Sequence, residues 1–496
     1  MKAVMVAPEV APFSKTGGLA DVLGALPVAL SGLGLDVTVI TPLYRTVREN
    51  ARRLGLSIKQ SRGKSIRVPI GDSVVEGRLM EAKLPGGNVT VHFLENDAFY
   101  DRPGLYTDPK DDSDYPDNSS RFIFLSRGCL EACKALGLQP EVFHCHDWPA
   151  GLLPVYLTHL YRRDFPTSAS IFTLHNVAYK GLFSHEDMRL TGLPWELFNW
   201  KMLEYYGKLS FLKAGLVGAD LLTTVSRSYA SELQTEQFGM GMEGVLRSRA
   251  EDLCGIVNGA DYRVWNPWLD KCVARRYSAK NLSGKKECKR ALQQEFNLTQ
   301  QSRAPLIGMV GRLVKQKGFD LVAEALPKLM EKDFQFVVLG TGQPEYHELL
   351  AEIASRFPGR IGVKLGFDEA LAHRIEAGSD MFLMPSRFEP CGLNQLYSLK
   401  YGAVPVVSNT GGLADTVVDF NDETRTRRTA TGFVFECGGE VAMLDAIDRA
   451  LRLYKGNPGA WRALQVRGMK QNWSWEHSAK QYVEVYKKAL QKARLR

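Results

Sequence analysis

The sequence predicts an α/β protein made of two doubly wound domains, each a parallel sheet covered by helices. Short apolar runs rich in β-branched residues alternate with longer amphipathic patterns through nearly all of the 496 residues, and this alternation is typical of parallel sheets. A segment of identical sequence, Thr-Gly-Gly-Leu-Ala-Asp, also occurs at 16–21 and again at 410–415. One copy in each half of the chain indicates two pseudo-equivalent domains.

The predicted strands fall into two series. The first comprises Ala3–Ala7, Val37–Ile40, Val91–Leu94, Val142–His144, Ile171–Leu174 and Leu221–Val225. The second comprises Gly255–Val257, Leu306–Val310, Phe336–Leu339, Ile361–Leu365, Met381–Met384, Val404–Val407 and Gly432–Phe435. Turn signals in the region 250–270 separate the series. We therefore predict an N-terminal domain over 1–254 and a C-terminal domain over 255–473.

Three further segments have patterns of their own. The tail 474–496 is predicted to be a helix, with Ser474 as N-cap and an apolar stripe of Ala479, Tyr482, Tyr486 and Leu490. Such a stripe must pack on something, and we expect it to return to the N-terminal domain. Residues 101–120 are rich in Asp and Ser and predict a loop, whereas 71–88 suggest hairpins.

Composition excludes several classes of protein. Apolar residues make up 45% and charged residues 24%, which excludes a disordered or collagen-like chain. The net charge of +8 is mild over this length, and nucleic-acid binding would need a denser basic stripe. No apolar run approaches the roughly 18 residues of a membrane span. Eight scattered cysteines without a CxxC motif favour reduced thiols in a cytosolic protein.

The repeated Gly-Gly turn is a candidate anion site in both halves. Gly17-Gly18 and Gly411-Gly412 each precede a helical pattern, and backbone N–H groups at a helix start favour phosphate. Lys15 adds a mobile cation beside the first copy. A tight turn without any ligand is the alternative for either copy taken alone.

Charged residues also follow two strands of the second series, where a parallel sheet binds its ligands. Arg312 and Lys317 follow the strand that ends at Val310, and these two cations suit a phosphate. Glu389 follows the strand that ends at Met384 and would contact sugar hydroxyls or developing positive charge. A solvated basic loop and simple helix capping are the respective alternatives. Cys391 has no histidine near it in sequence, so we interpret it as a small buried residue.

Histidines occur at two strand ends of the first series. His175 and Asn176 follow the strand that ends at Leu174, which places them in the predicted crevice. His144, Cys145 and His146 resemble a metal cluster, but alternation puts Cys145 on the opposite strand face, so we predict no metal there. Asp147 is predicted to orient neighbours or bind hydroxyls. Asp112 and Asp114 match a metal-binding D-x-D pattern, yet a solvated loop explains them better.

Together these segments resemble the bacterial glycogen synthases and plant starch synthases. The resemblance runs in order through nearly the whole chain, from Lys15–Val22 through His144–Gly151, Thr173–Tyr179, Ser210–Gly215, Val257–Asp261, Gly311–Gly318, Pro385–Gly402 and Thr410–Val417. It implies a GT-B fold, in which two Rossmann-like domains face each other across a cleft. Where many GT-B enzymes carry a second acid, this sequence has Tyr397.

The resemblance also implies roles for individual residues. Glu389, Arg312, Lys317 and His175 would form the catalytic set, with Arg312 and Lys317 neutralising the leaving diphosphate in place of a metal. Other positions would bind substrate: Lys15, Gly17, Gly18, Asp147, Asn176, Asn258, Phe367, Cys391, Gly392, Thr410, Gly411 and Gly412. Among these, Phe367 would stack against adenine, and the turn at Thr410–Gly412 would offer N–H groups to phosphate.

The implied reaction transfers glucose from ADP-glucose to the 4-hydroxyl end of an α-1,4-glucan, with retention of configuration and without a cofactor. Glycogen is the implied partner, and neither nucleic acid nor membrane is expected. No added carbohydrate-binding module is evident, which favours a bacterial cytoplasmic enzyme over a plastid one. The alternatives are a GT-B transferase with another donor, such as a UDP-sugar, and a non-catalytic glucan-binding protein.

Overall fold

The computed structural model describes residues 1–495 and divides into two units. Unit 1 comprises Met1–Val225, Ala230–Ile256 and the chain from Trp475 onward. Unit 2 comprises Ser226–Tyr229 and Val257–Ser474. No helix among residues 1–495 has the length and hydropathy needed to cross a bilayer.

Unit 1 is built on a mainly parallel sheet of nine strands. The strands of this unit are β1 Lys2–Val6, β2 Asp36–Pro42, β3 Lys59–Ile70, β4 Ser73–Lys83, β5 Thr90–Glu95, β6 Thr107–Asp108, β7 Ser113–Asp114, β8 Val142–His146, β9 Ala169–Leu174, β10 Leu182–Phe183, β11 Glu204–Tyr205, β12 Lys208–Ser210, β13 Leu221–Thr224 and β14 Leu253–Gly255. The order across the large sheet is β14-β13-β9-β8-β1-β2-β5-β4-β3. Its central strands β8 and β9 are buried at every residue, as strands covered by helices on both faces must be.

The helices of unit 1 cover this sheet and follow its strands in alternation. They are Gly18–Gly32, Arg45–Arg53, Asp97–Tyr100, Asn118–Leu136, Leu153–His159, Met188–Thr191, Phe211–Gly218, Glu236–Gly239, Glu243–Ser248 and Trp475–Ala493. A further helix, Arg227–Glu232, begins in the residues assigned to unit 2.

Unit 2 contains a parallel sheet of six strands. They are β15 Leu306–Leu313, β16 Gln335–Gly342, β17 Ile361–Leu365, β18 Met381–Met384, β19 Val404–Ser408 and β20 Phe433–Phe435. The sheet order is β17-β16-β15-β18-β19-β20, and apolar clusters pack on its faces. The helices of the unit are Ser283–Glu295, Phe319–Leu329, Pro344–Arg356, Glu369–Gly378, Asn394–Tyr401, Gly411–Thr416, Asp422–Arg427, Glu440–Gly456 and Pro458–Lys470. The predicted α/β class with two doubly wound units is confirmed.

Several sequence predictions differ from the structure in detail. The strand predicted at Gly255–Val257 for the second series is β14, Leu253–Gly255, and it pairs with β13 in unit 1. The hairpins predicted at 71–88 are confirmed, since the half-solvated strand β4 pairs antiparallel with β3 before it and with β5 after it. Within the predicted loop 101–120, β6 and β7 form a two-residue ladder. Solvated or very short strands lack the continuous apolar run that identifies a buried parallel strand.

The C-terminal helix Trp475–Ala493 completes the core of unit 1. Its buried stripe includes Ala479, Tyr482 and Tyr486, and Ala489 rather than the predicted Leu490 continues it. The Tyr486 hydroxyl lies 2.9 Å from Nδ1 of His144 on β8. The central strand β8 and the end of the chain are therefore joined by a buried polar contact within an apolar interface.

Removing the Tyr486 hydroxyl is expected to destabilise unit 1. Tyr486→Phe keeps the ring but leaves a buried His144 nitrogen without its partner, which costs about 1–2 kcal/mol of unfolding free energy. The exposed neighbour Lys487 supplies the control, since Lys487→Ala is expected to change stability by less than about 0.5 kcal/mol. Urea unfolding of the three proteins measures the difference; equal stability of the two variants would contradict the role of this contact.

Candidate active site

The winding of the sheet in unit 1 reverses between β1 and β8. These two strands pair in parallel, but the chain continues from β1 to β2 on one side and from β8 to β9 on the other. In open α/β sheets, ligands bind outside the carboxyl ends of strands at such a reversal. Lys15 and Gly17 lie in the loop after β1, Gly18 begins the next helix, and Asp147 directly follows β8. The topology thus brings these predicted site residues to one edge of the sheet.

A buried carboxyl group, Glu9, organises the loop after β1. It accepts a hydrogen bond of 2.5 Å from the backbone N–H of Thr16 and one of 3.1 Å from the Thr16 hydroxyl. The hydroxyl of Tyr106 donates a third, at 3.3 Å. Glu9 therefore fixes the backbone between the end of β1 and the Gly-Gly turn.

The residues beside this turn leave room for a ligand. Lys15 Nζ lies 2.6 Å from Asp21 Oδ1, which orients the ammonium over the first turn of helix Gly18–Gly32. Gly17 has an extended backbone, and a Cβ placed on it would meet nothing within 4 Å. The fold itself therefore does not require glycine at 17. An open approach to the N-terminus of a long helix, with a lysine alongside, suits an anion.

Asp147 holds the turn that follows β9. Its own backbone is left-handed, with φ of +58°, a conformation that non-glycine residues seldom adopt. Its carboxylate accepts the backbone N–H of His175 at 3.1 Å, and the backbone of Asn176 also bonds to it. The side chain of Asn176 accepts the N–H of Ala178 at 3.0 Å. Through these contacts the Asp147 carboxyl group holds the backbone at the start of the turn after β9.

Burial shifts the protonation of these groups. Loss of solvation raises the pKa of Glu9 to about 7, against the lowering effect of the Thr16 hydrogen bonds. It also raises the pKa of Asp147 to about 7, although the N–H groups of His175 and Asn176 oppose the change. Burial lowers the pKa of His175 to about 3. His175 is therefore neutral at pH 7, and a neutral imidazole can both donate and accept a hydrogen bond.

The sheet of unit 2 reverses in the same way, between β15 and β18. The chain winds from β15 through β16 to β17 on one side and from β18 through β19 to β20 on the other. Arg312 lies at the end of β15 and is exposed. Lys317 and Glu389 lie in the connections after β15 and β18, and Lys317 Nζ is 2.5 Å from Glu389 Oε2. Three predicted catalytic residues therefore gather at one reversal.

Glu389 is held in place by two partners. It is only 5% exposed, and besides the Lys317 ammonium it accepts a 2.9 Å hydrogen bond from the Ser386 hydroxyl on the same oxygen. A buried carboxylate needs such partners to stay charged. The pair places one cation and one anion side by side at the carboxyl edge of the sheet, where a ligand with both phosphate and hydroxyl groups would find complementary charge.

Cys391 and Asn258 lie together beside Glu389. Burial raises the pKa of the Cys391 thiol to about 12, although a hydrogen bond from the Asn258 backbone opposes this. The thiol is therefore not a nucleophile at neutral pH, as the sequence analysis expected. Asn258 is buried, and its Oδ1 atom has no hydrogen-bond partner among residues 1–495. Gly392, with φ of +72°, needs glycine for its backbone conformation.

The second Gly-Gly turn has a structural reason for its glycines. A Cβ on Gly411 would lie 2.0 Å from the Glu389 carbonyl oxygen, and one on Gly412 would lie 2.1 Å from that of Cys391. The Gly412 N–H donates to the carbonyls of Glu389 and Pro390. In this conformation the Gly412 N–H is therefore hydrogen-bonded within the protein. The resemblance instead implied that this N–H would be offered to phosphate. Thr410, the N-cap of the short helix Gly411–Thr416, is buried.

Phe367 stands at the same edge of unit 2, two residues after β17 ends. Its ring is 78% exposed. An exposed phenyl ring at the ligand-binding edge of a sheet offers a face on which a planar base stacks.

Among residues 1–495, one set of side chains has the spacing of a metal centre: Asp270, Cys272 and His373. These groups already have partners. Asp270 Oδ2 accepts a hydrogen bond from the Tyr401 hydroxyl at 2.6 Å and lies 2.7 Å from His373 Nδ1. The His373 ring stacks on Trp265. Asp270, Tyr401 and His373 thus form a hydrogen-bonded network in the core of unit 2.

Comparison with known proteins identifies the family. The model of the starch synthase catalytic domain matches residues 2–248, and that of glycosyl transferases group 1 matches 292–457. The glycogen synthase of Koribacter versatilis is 46% identical over 499 residues, covering 99% of both chains. Glycogen synthase 2 of Geobacter sulfurreducens is 47% identical over 491 residues, with 99% of each covered. The chain belongs to the glycogen synthase family.

A solved structure of a family relative has the same fold. The catalytic domain of starch synthase IV from Arabidopsis thaliana, bound to ADP and acarbose, matches with a TM-score of 0.90 at 31% identity and covers 99% of both chains. The predicted GT-B fold class and the predicted resemblance are thereby confirmed, and this glycogen synthase family member is a glycosyltransferase.

Some residues at these sites have no signal in the sequence of this family member. Glu9 stands out only as an interruption of an apolar stretch, and its role depends on the turn of the loop back to Thr16. Ser386 gains meaning only once Glu389 is placed beside it. Strand alternation predicts which face of β8 carries His146. It does not predict the contact with His175, which lies in the connection after the neighbouring strand β9.

The raised pKa of Glu9 predicts a specific pH dependence of stability. Glu9 binds its proton more tightly in the folded state, so the stabilisation is complete below the unfolded pKa near 4.5 and is lost as pH rises through about 7. Glu9→Gln should therefore lose less stability than the wild type between pH 5 and pH 8, by on the order of 2 kcal/mol. Urea unfolding at both pH values measures the loss.

The control for this prediction is Glu49→Gln, because Glu49 is exposed. It is expected to keep the wild-type pH dependence. A Glu9→Gln variant with the same loss as the wild type would show that the Glu9 carboxyl is already charged in the folded protein at pH 5, which would contradict the raised pKa.

Proposed function

We propose that the chain elongates glycogen by transferring glucose from ADP-glucose to the non-reducing 4-hydroxyl end of an α-1,4-glucan, with retention of configuration (the reaction of EC 2.4.1.21). The observation that carries the proposal is the cluster of Arg312, Lys317 and Glu389 at the winding reversal of unit 2, in a chain that matches glycogen synthases from end to end. Cations and a carboxylate at that position suit a sugar diphosphate.

Arg312 and Lys317 would bind the diphosphate and stabilise its charge as the bond to glucose breaks. Arg312 is exposed at the end of its strand, so its guanidinium is available for two parallel hydrogen bonds to phosphate oxygens. Lys317 has three donors, and only some are needed for Glu389. Preorganised cations of this kind supply the electrostatic stabilisation that other glycosyltransferases obtain from a metal ion. The reaction as proposed needs no cofactor.

Glu389 and the Cys391–Gly392 backbone would hold the glucose hydroxyls. On unit 1, Lys15 with Gly17 and Gly18 would bind the donor phosphates, and His175 and Asn176 would contact the sugar. Thr410 and Gly411 stay candidates for the terminal phosphate, with Asn258 a further candidate for the sugar. For retention, we favour attack of the acceptor hydroxyl on the same face as the departing phosphate, since the Cys391 thiol is not ionised and Glu389 is already paired.

The adenine base would stack on Phe367. The related starch synthase domain was solved with ADP, which supports an adenine nucleotide here. An exposed ring stacks any base, however, so a UDP-sugar is the second candidate donor. A cytoplasmic location and glycogen as the primer are parts of the same proposal.

The first test is release of nucleoside diphosphate by the purified protein with glycogen as primer. ADP-glucose and UDP-glucose are compared, each with and without EDTA. We expect ADP release that depends on glycogen and survives EDTA. Faster release of nucleoside diphosphate from UDP-glucose would show that a UDP-sugar is the donor. Loss of activity in EDTA would contradict the metal-free mechanism. Glycogen binding without turnover of either donor would leave a glucan-binding protein.

The role of Arg312 predicts a loss of turnover without a loss of primer binding. Arg312→Ala removes charge stabilisation that is needed only as the diphosphate departs, so kcat should fall roughly a hundredfold. Glycogen affinity, measured by native electrophoresis in glycogen-containing gels, should be unchanged. Lys315→Ala is the matched control, because Lys315 is an exposed cation in the same loop. Equal kcat values for the two variants would refute the role of Arg312.

A further inference from the structure

Three histidines lie at the carboxyl edge of the unit 1 sheet, of which His144 and His146 are buried and His175 is half-buried. His144 and His146 share one face of β8, with ring centroids 4.1 Å apart. Each reaches diagonally toward the neighbouring strand, two residues beyond its register partner. His144 Nε2 lies 2.6 Å from the Thr173 hydroxyl, and His146 Nδ1 lies 3.0 Å from His175 Nε2. The proposed sugar contact, His175, is thus bonded to a second imidazole.

The contact between His146 Nδ1 and His175 Nε2 is a hydrogen bond with a single proton between the two rings. Burial lowers the pKa of His146 and His175 far below 7, and the neighbouring His144 ring adds to the effect on His146. Both imidazoles are therefore neutral, and each carries a single N–H. Two arrangements remain: His146 donates from Nδ1, or His175 donates from Nε2.

The remaining nitrogen of His146 decides between them. His146 Nε2 is buried and has no hydrogen-bond partner among residues 1–495. If His175 were the donor, the proton of His146 would sit on this Nε2 atom as a buried, unbonded N–H group. Orphaned N–H groups of that kind are rare in folded proteins, and more so than unpaired acceptors. The first arrangement leaves there only an unprotonated nitrogen.

We propose that His146 is a positioning residue that donates its Nδ1–H to His175 Nε2 and thereby fixes His175 as a neutral hydrogen-bond donor at Nδ1. With Nε2 occupied as an acceptor, the proton of His175 must lie on Nδ1. The backbone of His175 is held independently by Asp147, the residue next to His146. One short segment after β8 therefore sets both the position and the tautomer of His175.

The consequence for catalysis rests on the proposed function. A donor at Nδ1 recognises a sugar hydroxyl through its oxygen lone pair, and it cannot accept the proton of an attacking hydroxyl. His175 would then bind the transferred glucose and take no part as a general base. This separates His175 from the histidines of nucleophile–base pairs, which need a free lone pair.

The tautomers can be observed directly by NMR of the wild-type protein. With histidine labelled by ¹⁵N, protonated and unprotonated ring nitrogens resonate far apart. The sequence has nine histidines, and the signals that disappear in His146→Asn and in His175→Gln assign the two of interest. We expect the Nδ1–H form for both residues. An Nε2–H form for either residue overturns the proposal, whatever the enzyme's activity.

A matched pair of variants tests the effect on the reaction. His146→Asn keeps an N–H donor near the position of Nδ1, whereas His146→Leu has a similar size but no donor. We expect His146→Asn to retain most of kcat and His146→Leu to lose roughly tenfold to a hundredfold, with KM for glycogen unchanged in both. A purely structural role would instead lower both variants together, in step with their thermal stability.

Each outcome has a distinct meaning. If His146→Leu keeps the wild-type kcat, the positioning role is wrong. If the wild type shows both Nδ1–H tautomers but turns over no donor, the hydrogen-bond arrangement stands and the proposed function fails.

Discussion

The reversal of winding within each parallel sheet is the constraint on which the site depends. Neighbouring strands whose connections depart in opposite directions leave an opening at their carboxyl ends, because no helix covers that point. In unit 1 this opening lies beside β1 and β8, and in unit 2 beside β15 and β18. Residues from distant parts of the sequence meet there, such as Lys317 and Glu389, whose side chains form an ion pair.

Low polarity at these openings then determines the chemistry of the side chains. Burial keeps imidazoles neutral and favours the protonated form of carboxyl groups that lack a cation, as at Glu9 and Asp147. In unit 2, the Glu389 carboxyl group forms an ion pair with the Lys317 ammonium. At its opening, unit 1 thus presents neutral imidazoles together with the Lys15 ammonium, and unit 2 presents the Lys317–Glu389 ion pair.

Those features that depend on local pattern could be predicted from sequence. Buried parallel strands are continuous apolar runs, so Ile361–Leu365 and Met381–Met384 were delimited correctly. Since strand ends locate the crevice, the positions of Arg312 and Glu389 near the ends of β15 and β18 could be predicted as well. Features that depend on register or close packing could not be predicted. The identical segments at 16–21 and 410–415 begin their helices one residue apart, with Gly17 and Thr410 as N-caps. The second segment packs closely against the Glu389–Cys391 backbone, a contact that the sequence does not reveal. The pairing of His146 with His175 likewise needs the strand register.

The return of the chain to unit 1 at Trp475 has a consequence for synthesis of the protein. The first unit lacks its last helix until all of unit 2 has left the ribosome, so the β8 surface that receives Tyr486 stays uncovered during that time. The second unit, by contrast, has nearly all its elements in one continuous stretch. Domains generally fold as units in the order of synthesis, but here the second can finish before the first. Nascent chains stalled within unit 2 should therefore expose apolar surface that chaperones bind.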